Sequence, residues 1–429
     1  MIEYPKELDK IFNKLQNFSS KIIIVGGFVR DSLLGIKSKD IDIEVYGVKS
    51  FEKLENILKE FGDVNNVGKS FGICKLHFQN YELDFSLPRS DNKIKSGHRG
   101  FDISINPNLN FKTATSRRDF TINSIGYDIK EKKLLDPFNG INDLKNKILK
   151  MVNKSHFIED PLRVLRAAGF CARFELNIDN ELLSLCQNMV SKNMLNELPK
   201  ERIFSEIKKI FLKAKKPSIG FELLKKFGSN IYNENIYILD NIKLTTNSKT
   251  NIILMLSALC YNYEINKAIN FIKKLTDEKD ILKRVLPLIQ NHQKININLS
   301  NYELYKLATK IKLEELLILC QAIYGDKMYK TINTIKERAI KLNILNKKLT
   351  PLLKGEDILK LGLKPSVEFS KILNNAYEAQ MKGEFSNYLK AKNWLKNYLA
   401  SRFWAINFYN SMYISTRVII SYNFHTLRF

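Results

Sequence analysis

The feature that most constrains this chain is a change of apolar period about a third of the way along its 429 residues. From residue 21 to about 136, short β-branched or alternating runs recur at 21–25, 41–46, 72–78, 81–87 and 102–105, with turn residues between them. A period of two marks strands that bury one face. Helical segments are expected near 50–60 and 113–120. Beyond about residue 141 strand signals nearly vanish. Apolar residues then fall at helical spacing, as in Ile203, Ile207, Ile210 and Phe211, and again through 250–275 and 302–322. The fold class that follows is α+β: a head with a small mixed β-sheet and helices, then a long all-α portion. Breaks are expected at Pro217 and Gly220, in the Asn-rich stretch 230–247, and at Thr350, Pro351 and Gly355. At roughly 100–200 residues per core, about two to four compact units fit. Residues 400–429 stand apart, with no Asp or Glu and many aromatics, and read as a peripheral strand or tail without an assigned function.

Charge narrows the partners. Lys and Arg number 69 against 45 acids, a net +24 at pH 7. Such an excess attracts polyanions, so nucleic acid or an anionic membrane surface are the candidates. A lysine-rich composition without a binding role is the competing reading. Five cysteines (Cys74, Cys171, Cys186, Cys260 and Cys320) are scattered, and none forms a Cys-x-x-Cys pair. That pattern speaks against a disulfide framework or a zinc ribbon and suits a reducing compartment. The mixed-charge start predicts no secretory leader, and no run reaches the ~18–20 apolar residues of a membrane span. A soluble cytoplasmic protein is expected.

Three segments carry chemistry. Residues 22–44 place a strand before Gly26 and Gly27, then helical periodicity through Arg30 to Gly35. Two glycines at a strand-to-helix turn let backbone N–H groups approach a phosphate, and Arg30 can neutralise it. Tight turns also use glycine for their own geometry. Downstream, Asp40, Asp42 and Glu44 share one strand face while Ile41, Ile43 and Val45 share the other. Two such carboxylates can hold a pair of Mg²⁺ ions for phosphoryl transfer, or form the acidic face of an ordinary edge strand. Asp84, in another alternating run, is a candidate third ligand or a strand-surface acid.

The second segment is Arg117, Arg118, Asp119, Phe120, Thr121, Ile122, Asn123 and Ser124. Its arginines suit triphosphate oxygens, and Asp119 or Asn123 suits ribose hydroxyls. Taken alone, the segment reads better as a capped surface helix with a local Arg–Asp pair. The third runs from Glu159 to Arg166 and looks like a helix start, with acids in the cap and first turn and Pro161 tolerated there. Asp160 and Arg163 can offer an acceptor and donors to a nucleobase edge. The same spacing serves an exposed salt-bridged helix, and nothing in it decides between the two.

With these segments in hand, the chain resembles the bacterial and eukaryotic branch of tRNA nucleotidyltransferases and poly(A) polymerases, most closely the CCA-adding enzymes. The matching stretches are GGFVRDSLLG with DID, PRSDNKIKSGHRGF, RRDFTINS, LLDPFNGINDLKNKI, EDPLRVLRAA and ELPKERIFSEI, in order across residues 20–215, with a weaker match in GEDILKLGLKPS and NWLKNYL. The resemblance implies a nucleotidyltransferase head over 1–145, a helical base-selecting neck over 146–215, an RNA-binding helical body over 216–340 and a tRNA-binding tail over 341–399. It leaves 400–429 as an extension. It implies tRNA, CTP and ATP as substrates, template-independent CCA addition with release of pyrophosphate, and Mg²⁺ on Asp40 and Asp42. Gly26, Gly27, Arg30 and Arg118 would bind the triphosphate, Asp119 and Asn123 would lie near the sugar, and Arg166 would support them. Asp160 and Arg163 would choose the base, with Glu159 orienting Arg163. The loop 89–100 would help the switch from CTP to ATP, and lysines at 208–216 and 273–274 would meet tRNA phosphates.

Two departures stand out. Gly169 replaces a frequent arginine, and Lys145 and Lys147 stand where an arginine is common. His292 and His425 are isolated, so an appended His-Asp phosphohydrolase is not expected. Neither DNA nor a membrane is an expected partner, and oligomeric state is open. The rival readings are CC-only, A-only or poly(A) addition, an RNA-binding protein with a dead head, and a membrane-surface protein using residues 400–429.

Overall fold

The computed structural model describes residues 2–48, 50–65, 72–93, 101–231, 235–246 and 251–401. Residues 94–100 of the expected switching loop and 402–429 of the extension lie outside them. The described chain forms two compact units, divided between Leu282 and Lys283.

The first unit opens with α1 (Asp9–Gln16), β1 (Lys21–Val25), α2 (Gly27–Leu33), β2 (Asp40–Tyr46) and α3 (Phe51–Leu58). Then come β3 (Val64–Asn65), β4 (Ile73–Phe78), β5 (Tyr81–Ser86), β6 (Arg89–Lys93), β7 (Phe101–Ile105), α4 (Phe111–Thr115), β8 (Gly126–Asp128) and β9 (Lys133–Leu135). Seven strands form one sheet in the order β3-β4-β5-β2-β1-β8-β9, while β6 and β7 pair separately. Only β2 and β5 run parallel within that sheet.

Alternation decides the faces. Ile22 and Ile24 of β1, with Ile41, Ile43 and Val45 of β2, enter the main core with Phe12, Leu15, Val29, Leu54 and Leu58 from α1, α2 and α3. The opposite face carries a small cluster of Ile23, Val25, Tyr46 and Ala114, with Phe111 against it. The acids of β2 project on that second face, which is where the site forms.

The helices that follow are α5 (Gly140–Lys145), α6 (Lys154–Glu159), α7 (Leu162–Phe174), α8 (Asn180–Ser191), α9 (Lys200–Lys213), α10 (Pro217–Lys226), α11 (Tyr237–Thr246), α12 (Ile252–Cys260), α13 (Ile265–Leu275) and α14 (Lys279–Asn291), the last spanning the division. Two short strands, β10 (Ile148–Leu149) and β11 (Asn177–Ile178), pair in parallel among them. Helix α7 packs on α9 and α10, so the break expected at Pro217 is only a helix start inside one packed bundle. The Asn-rich stretch 230–247, expected as a linker, contains α11. Its apolar residues Leu239 and Ile242 are buried.

The second unit contains α15 (Asn301–Ala308), α16 (Leu313–Tyr324), α17 (Tyr329–Lys341), α18 (Gly355–Leu359), α19 (Val367–Lys382) and a helix over 388–401. Leu353, Ile358, Ile372, Phe385 and Leu395 form a core of their own in its last third. All five cysteines are buried, and none forms a disulfide. Among the described residues no helix is long and apolar enough to cross a membrane.

Candidate active site

The site starts at the end of β1. Gly26 has φ +69°, and a Cβ there would lie 2.7 Å from Nη1 of Arg118 and 3.5 Å from Oδ2 of Asp42. Both the left-handed backbone and the crowding require glycine. Antiparallel pairing sets Asp42 opposite Val25, the residue before that bend. Parallel pairing sets Asp42 beside Asp84 and Asp40 beside Glu82. The acids of β2 therefore sit at the glycine bend, as the alternation predicts.

Three carboxylates on one strand face take different environments. Asp40 is exposed. Asp42 keeps an exposed edge, yet desolvation raises its pKa; Arg118 pulls it back and the charges of Asp84, Glu44 and Asp40 push it up. Glu44 is only 1% exposed. It accepts hydrogen bonds from Nη2 of Arg118 and the Tyr46 hydroxyl, both at 2.9 Å. Burial would raise the Glu44 pKa, but Arg118, Arg117 and Tyr46 together hold it below the ordinary value. Arg118 in turn stays charged despite burial, because Glu44 and Asp42 hold its pKa up. Its Nη1 also donates to the Asn123 carbonyl at 3.2 Å. Asp84 is held by Lys75, with Nζ 2.8 Å and 3.0 Å from its two oxygens.

The donor set at the bend is hard oxygen only. Among the described residues no cluster of three or more His, Cys, Asp or Glu side chains could hold a metal. Two carboxylates suit Mg²⁺, which is commonly bound through one or two carboxylates with substrate phosphates and waters completing its shell.

A buried polar chain runs behind these acids. Arg30, expected from sequence as a triphosphate ligand, is only 4% exposed. Its Nε and Nη2 donate to Oδ1 of Asp31 at 2.8 and 2.5 Å, and Nη1 donates to Oδ1 of Asn123 at 2.5 Å. Its guanidinium also lies 4.6 Å from the Phe174 ring centre and 5.1 Å from that of Phe170. Two aromatic rings of α7 and two buried acceptors enclose the guanidinium, whose Nη2 lies 3.6 Å from where a Cβ on Gly27 would sit, beside the glycine bend. Asp31 accepts from Arg173 at 3.0 Å. Asn123 passes the connection to Asp119 at 2.9 Å, and Asp119 accepts from Nε and Nη2 of Arg166 at 2.8 and 2.5 Å. Burial would raise the pKa of Asp119, but Arg166 and Asn123 hold it low. The 117–124 segment is therefore no surface helix: α4 stops at Thr115, and long-range partners fix each of Arg118, Asp119 and Asn123.

The LLDPFNG stretch buttresses this segment. Asp136 accepts from the backbone N–H of Gly140 and Ile141 at 2.7 and 2.9 Å. A Cβ at Gly140 would come within 2.2 Å of the Thr121 carbonyl oxygen.

The segment 159–166 contains the expected helix start, α7 at Leu162, and a second helix ends directly before it. Glu159 closes α6, and Asp160 and Pro161 form the break before α7. Asp160 accepts from the Leu162 N–H at 3.1 Å, while Nη2 of Arg202, on α9, lies 3.5 Å from its other oxygen. Arg163 donates to the carbonyls of His156 at 3.0 Å and Arg117 at 2.6 Å. Glu159 stands 3.3 Å from Nδ1 of His156. The structure thus brings Asp42, Gly26 and Arg118 into one cluster, with Asp40 two residues along the same strand face, and Asp119, Asn123 and Arg166 into a second that Arg30 joins. Glu44, Tyr46 and Arg202 complete these clusters, and the sequence does not single them out as site residues; Glu44 alone carries a signal, through its place on the Asp40–Asp42 face.

Position 169 faces α9, since a Cβ on Gly169 would meet Cγ1 of Ile210 at 3.6 Å. Lys145 and Lys147 are exposed.

A strand pair of acids beside a glycine bend, backed by arginines and a helical bundle, defines a nucleotidyltransferase head. The family model for the poly A polymerase head domain matches residues 22–150, and the probable RNA and SrmB-binding site of polymerase A matches 175–229. The CCA-adding enzyme of Francisella tularensis subsp. tularensis (strain FSC 198) is 33% identical over 361 residues, covering 75% of this chain and 94% of that one. That of subsp. novicida (strain U112) is 32% identical, covering 75% and 91%. The solved structure of the Bacillus stearothermophilus CCA-adding enzyme in complex with CTP superposes with TM-score 0.72 at 18% identity, covering 93% of this chain and 99% of that one. The Thermotoga maritima CCA-adding enzyme complexed with tRNA gives 0.64 at 21% identity, covering 93% and 97%. This chain belongs to the CCA-adding enzyme family of nucleotidyltransferases.

Proposed function

We propose that this protein adds CCA to the 3′ end of tRNA from CTP and ATP without a template, releasing pyrophosphate. The observation that carries the reading is the approach of Asp42 and Arg118 to the Gly26 bend, with Asp40 two residues along the same strand face. The tRNA 3′-hydroxyl oxygen bonds to the α-phosphorus, and the bond from that phosphorus to the pyrophosphate oxygen breaks. Asp40 and Asp42 would hold Mg²⁺, which when bound activates the attacking hydroxyl and stabilises the leaving oxygen. Asp84 would join them only by leaving Lys75.

Arg118 supplies fixed positive charge beside the bend where the triphosphate lies. Because Glu44 and Asn123 already orient it, little reorganisation is needed when charge develops. Arg30 would orient Asn123, and through it Asp119, while keeping its charge beside Gly27. Arg163 and Asp160 present donors and an acceptor to the base, with Arg202 beside Asp160. Positioning by these groups accounts for most of the catalysis expected in phosphoryl transfer.

The test is product analysis on tRNA lacking its terminal CCA, supplied with CTP, ATP or both. Two cytidines with CTP alone and a complete CCA end with both are expected. Addition of A only, of CC only in the presence of both, or of a homopolymer would replace this reading by another activity of the same family.

A further inference from the structure

The first unit holds a second concave site, away from the acids of β2. It is a cavity of about 840 Å³ between α13, the turn after α8 and the loop after α10. Helix α13 lines it with Lys267, Asn270, Phe271 and Lys274, which share one helical face by their spacing of three and four. Across from them stand Asn193, Asn196, Ser229 and Asn230. Among the described residues no Asp or Glu contributes to the lining. Neither Lys267 nor Lys274 makes an ion pair with a carboxylate among the described residues.

The aromatic groups are arranged with the charges. Tyr263 and Phe271 meet edge to face, with ring centres 6.0 Å apart at 79°. Lys267 Nζ lies 4.2 Å from the Tyr263 ring centre. Both rings are half-buried and line the cavity. α13 packs on α9. On α9, Arg202 faces Asp160, whereas its neighbour Ile203 lines the cavity. Successive helix residues turn by about 100°, so the cavity lies on another flank of α9 from the base-selecting segment.

Uncompensated cations call for an anion, aromatic faces call for a flat ring, and amides with a hydroxyl suit the polar edge of that ring. The volume is in the usual range for small-molecule pockets. We infer that this cavity is a second nucleotide-binding site, with Lys267 and Lys274 on the phosphate and the Phe271–Tyr263 pair against the base. The occupant is either a free nucleotide or one nucleotide of an RNA strand. The inference goes beyond the catalytic reading and rests on it only for the choice of RNA as the strand.

The test uses the full chain without metal or nucleoside triphosphate, so that no extension occurs. Labelled single-stranded hexa-adenylate RNA is titrated by fluorescence anisotropy at several salt concentrations, and AMP is titrated by calorimetry. Lys267→Ala with Lys274→Ala is expected to weaken binding by about tenfold. With the strand, it also lowers the slope of log affinity against log salt by about 1.4, at roughly 0.7 for each phosphate no longer neutralised. Phe271→Ala is expected to weaken binding by about tenfold and leave the slope unchanged. Lys267→Arg with Lys274→Arg retains binding, which separates loss of charge from loss of fold. Saturation by AMP identifies the free nucleotide, and saturation by RNA alone identifies a strand residue. Absence of binding to both probes, or affinities that ignore the alanine substitutions, would overturn the inference. Because binding is read without turnover, a chain that failed to extend tRNA would count against the proposed function and leave this site standing.

Discussion

Glu44 holds Arg118 at 2.9 Å inside the protein, with the Tyr46 hydroxyl on its other oxygen. This pairing removes the third acid of β2 from the metal donors and turns it into the group that orients Arg118 at the Gly26 bend. Glu44→Gln preserves the shape and deletes the charge. Removing one partner of a buried ion pair costs about 3–5 kcal/mol, so a loss near the lower end is expected in urea unfolding, since Asp42 still faces Arg118. The CTP KM should rise more than kcat falls. A stability loss with KM unmoved would reduce Glu44 to a structural role.

Asp42→Asn tests the metal proposal. The amide can still hydrogen-bond but holds a divalent cation poorly. Turnover is expected to fall by at least ~10²–10³-fold, on the scale of removing one preorganised transition-state hydrogen bond. RNA affinity measured by filter binding should persist, because it comes from basic helical surface rather than from β2. Near-normal turnover would remove the mechanism.

Gly26→Ala asks two things of the bend at once. The left-handed φ of +69° costs a non-glycine residue about 1–2 kcal/mol. The new Cβ would also lie 2.7 Å from Nη1 of Arg118, so the guanidinium must move. Thermal unfolding should report the first effect and the nucleotide KM the second. If KM is unaffected, Arg118 does not contact nucleotide from this position.

Stability should depend on pH through Glu44 and Asp119. Both carboxyls are held below their ordinary values of 4.5 and 3.8. The unfolded chain therefore binds more protons than the folded one below those values, and stability rises with pH there. Their contribution is complete above the ordinary values and is lost as the pH falls through the depressed ones. The melting temperature should drop steeply below about pH 5. In the Glu44→Gln/Asp119→Asn double variant it should start lower and depend less on pH across that range.

What is legible in the sequence is what local period encodes. The run at 21–25 is β1 with the same bounds, and the alternation of Asp40 to Val45 places each side chain on the face expected. Short strands such as Gly126–Asp128 carry too few residues to show a period. The enclosure of Arg30 is not legible because it is non-local: Asn123 lies 93 residues away, and Phe170 and Phe174 come from α7. The start of α7 after Asp160 and Pro161 is legible, but the end of α6 at Glu159 is not, because acids and Pro mark a helix start equally well with or without a helix before it. Pro217 reads as a break because proline begins a helix as readily as it ends one, and α10 starts there.

Arg163→Lys is the sharpest test of base selection. The guanidinium ties two carbonyls together, those of His156 and Arg117, at 3.0 and 2.6 Å. A lysine keeps the charge, but its single ammonium cannot reproduce a planar fork. Both the direction of the donors and the position of the Arg117 backbone then become loose. If Arg163 reads the base, CTP and ATP should lose affinity unequally, and misincorporation of UTP or GTP should rise by about tenfold, the worth of one ~1.4 kcal/mol interaction. Competition between nucleotides in single additions to tRNA ending in C or CC measures this directly. An equal loss for all four nucleotides would make Arg163 a scaffold for the Arg117 segment and leave discrimination to Asp160 and its neighbour Arg202.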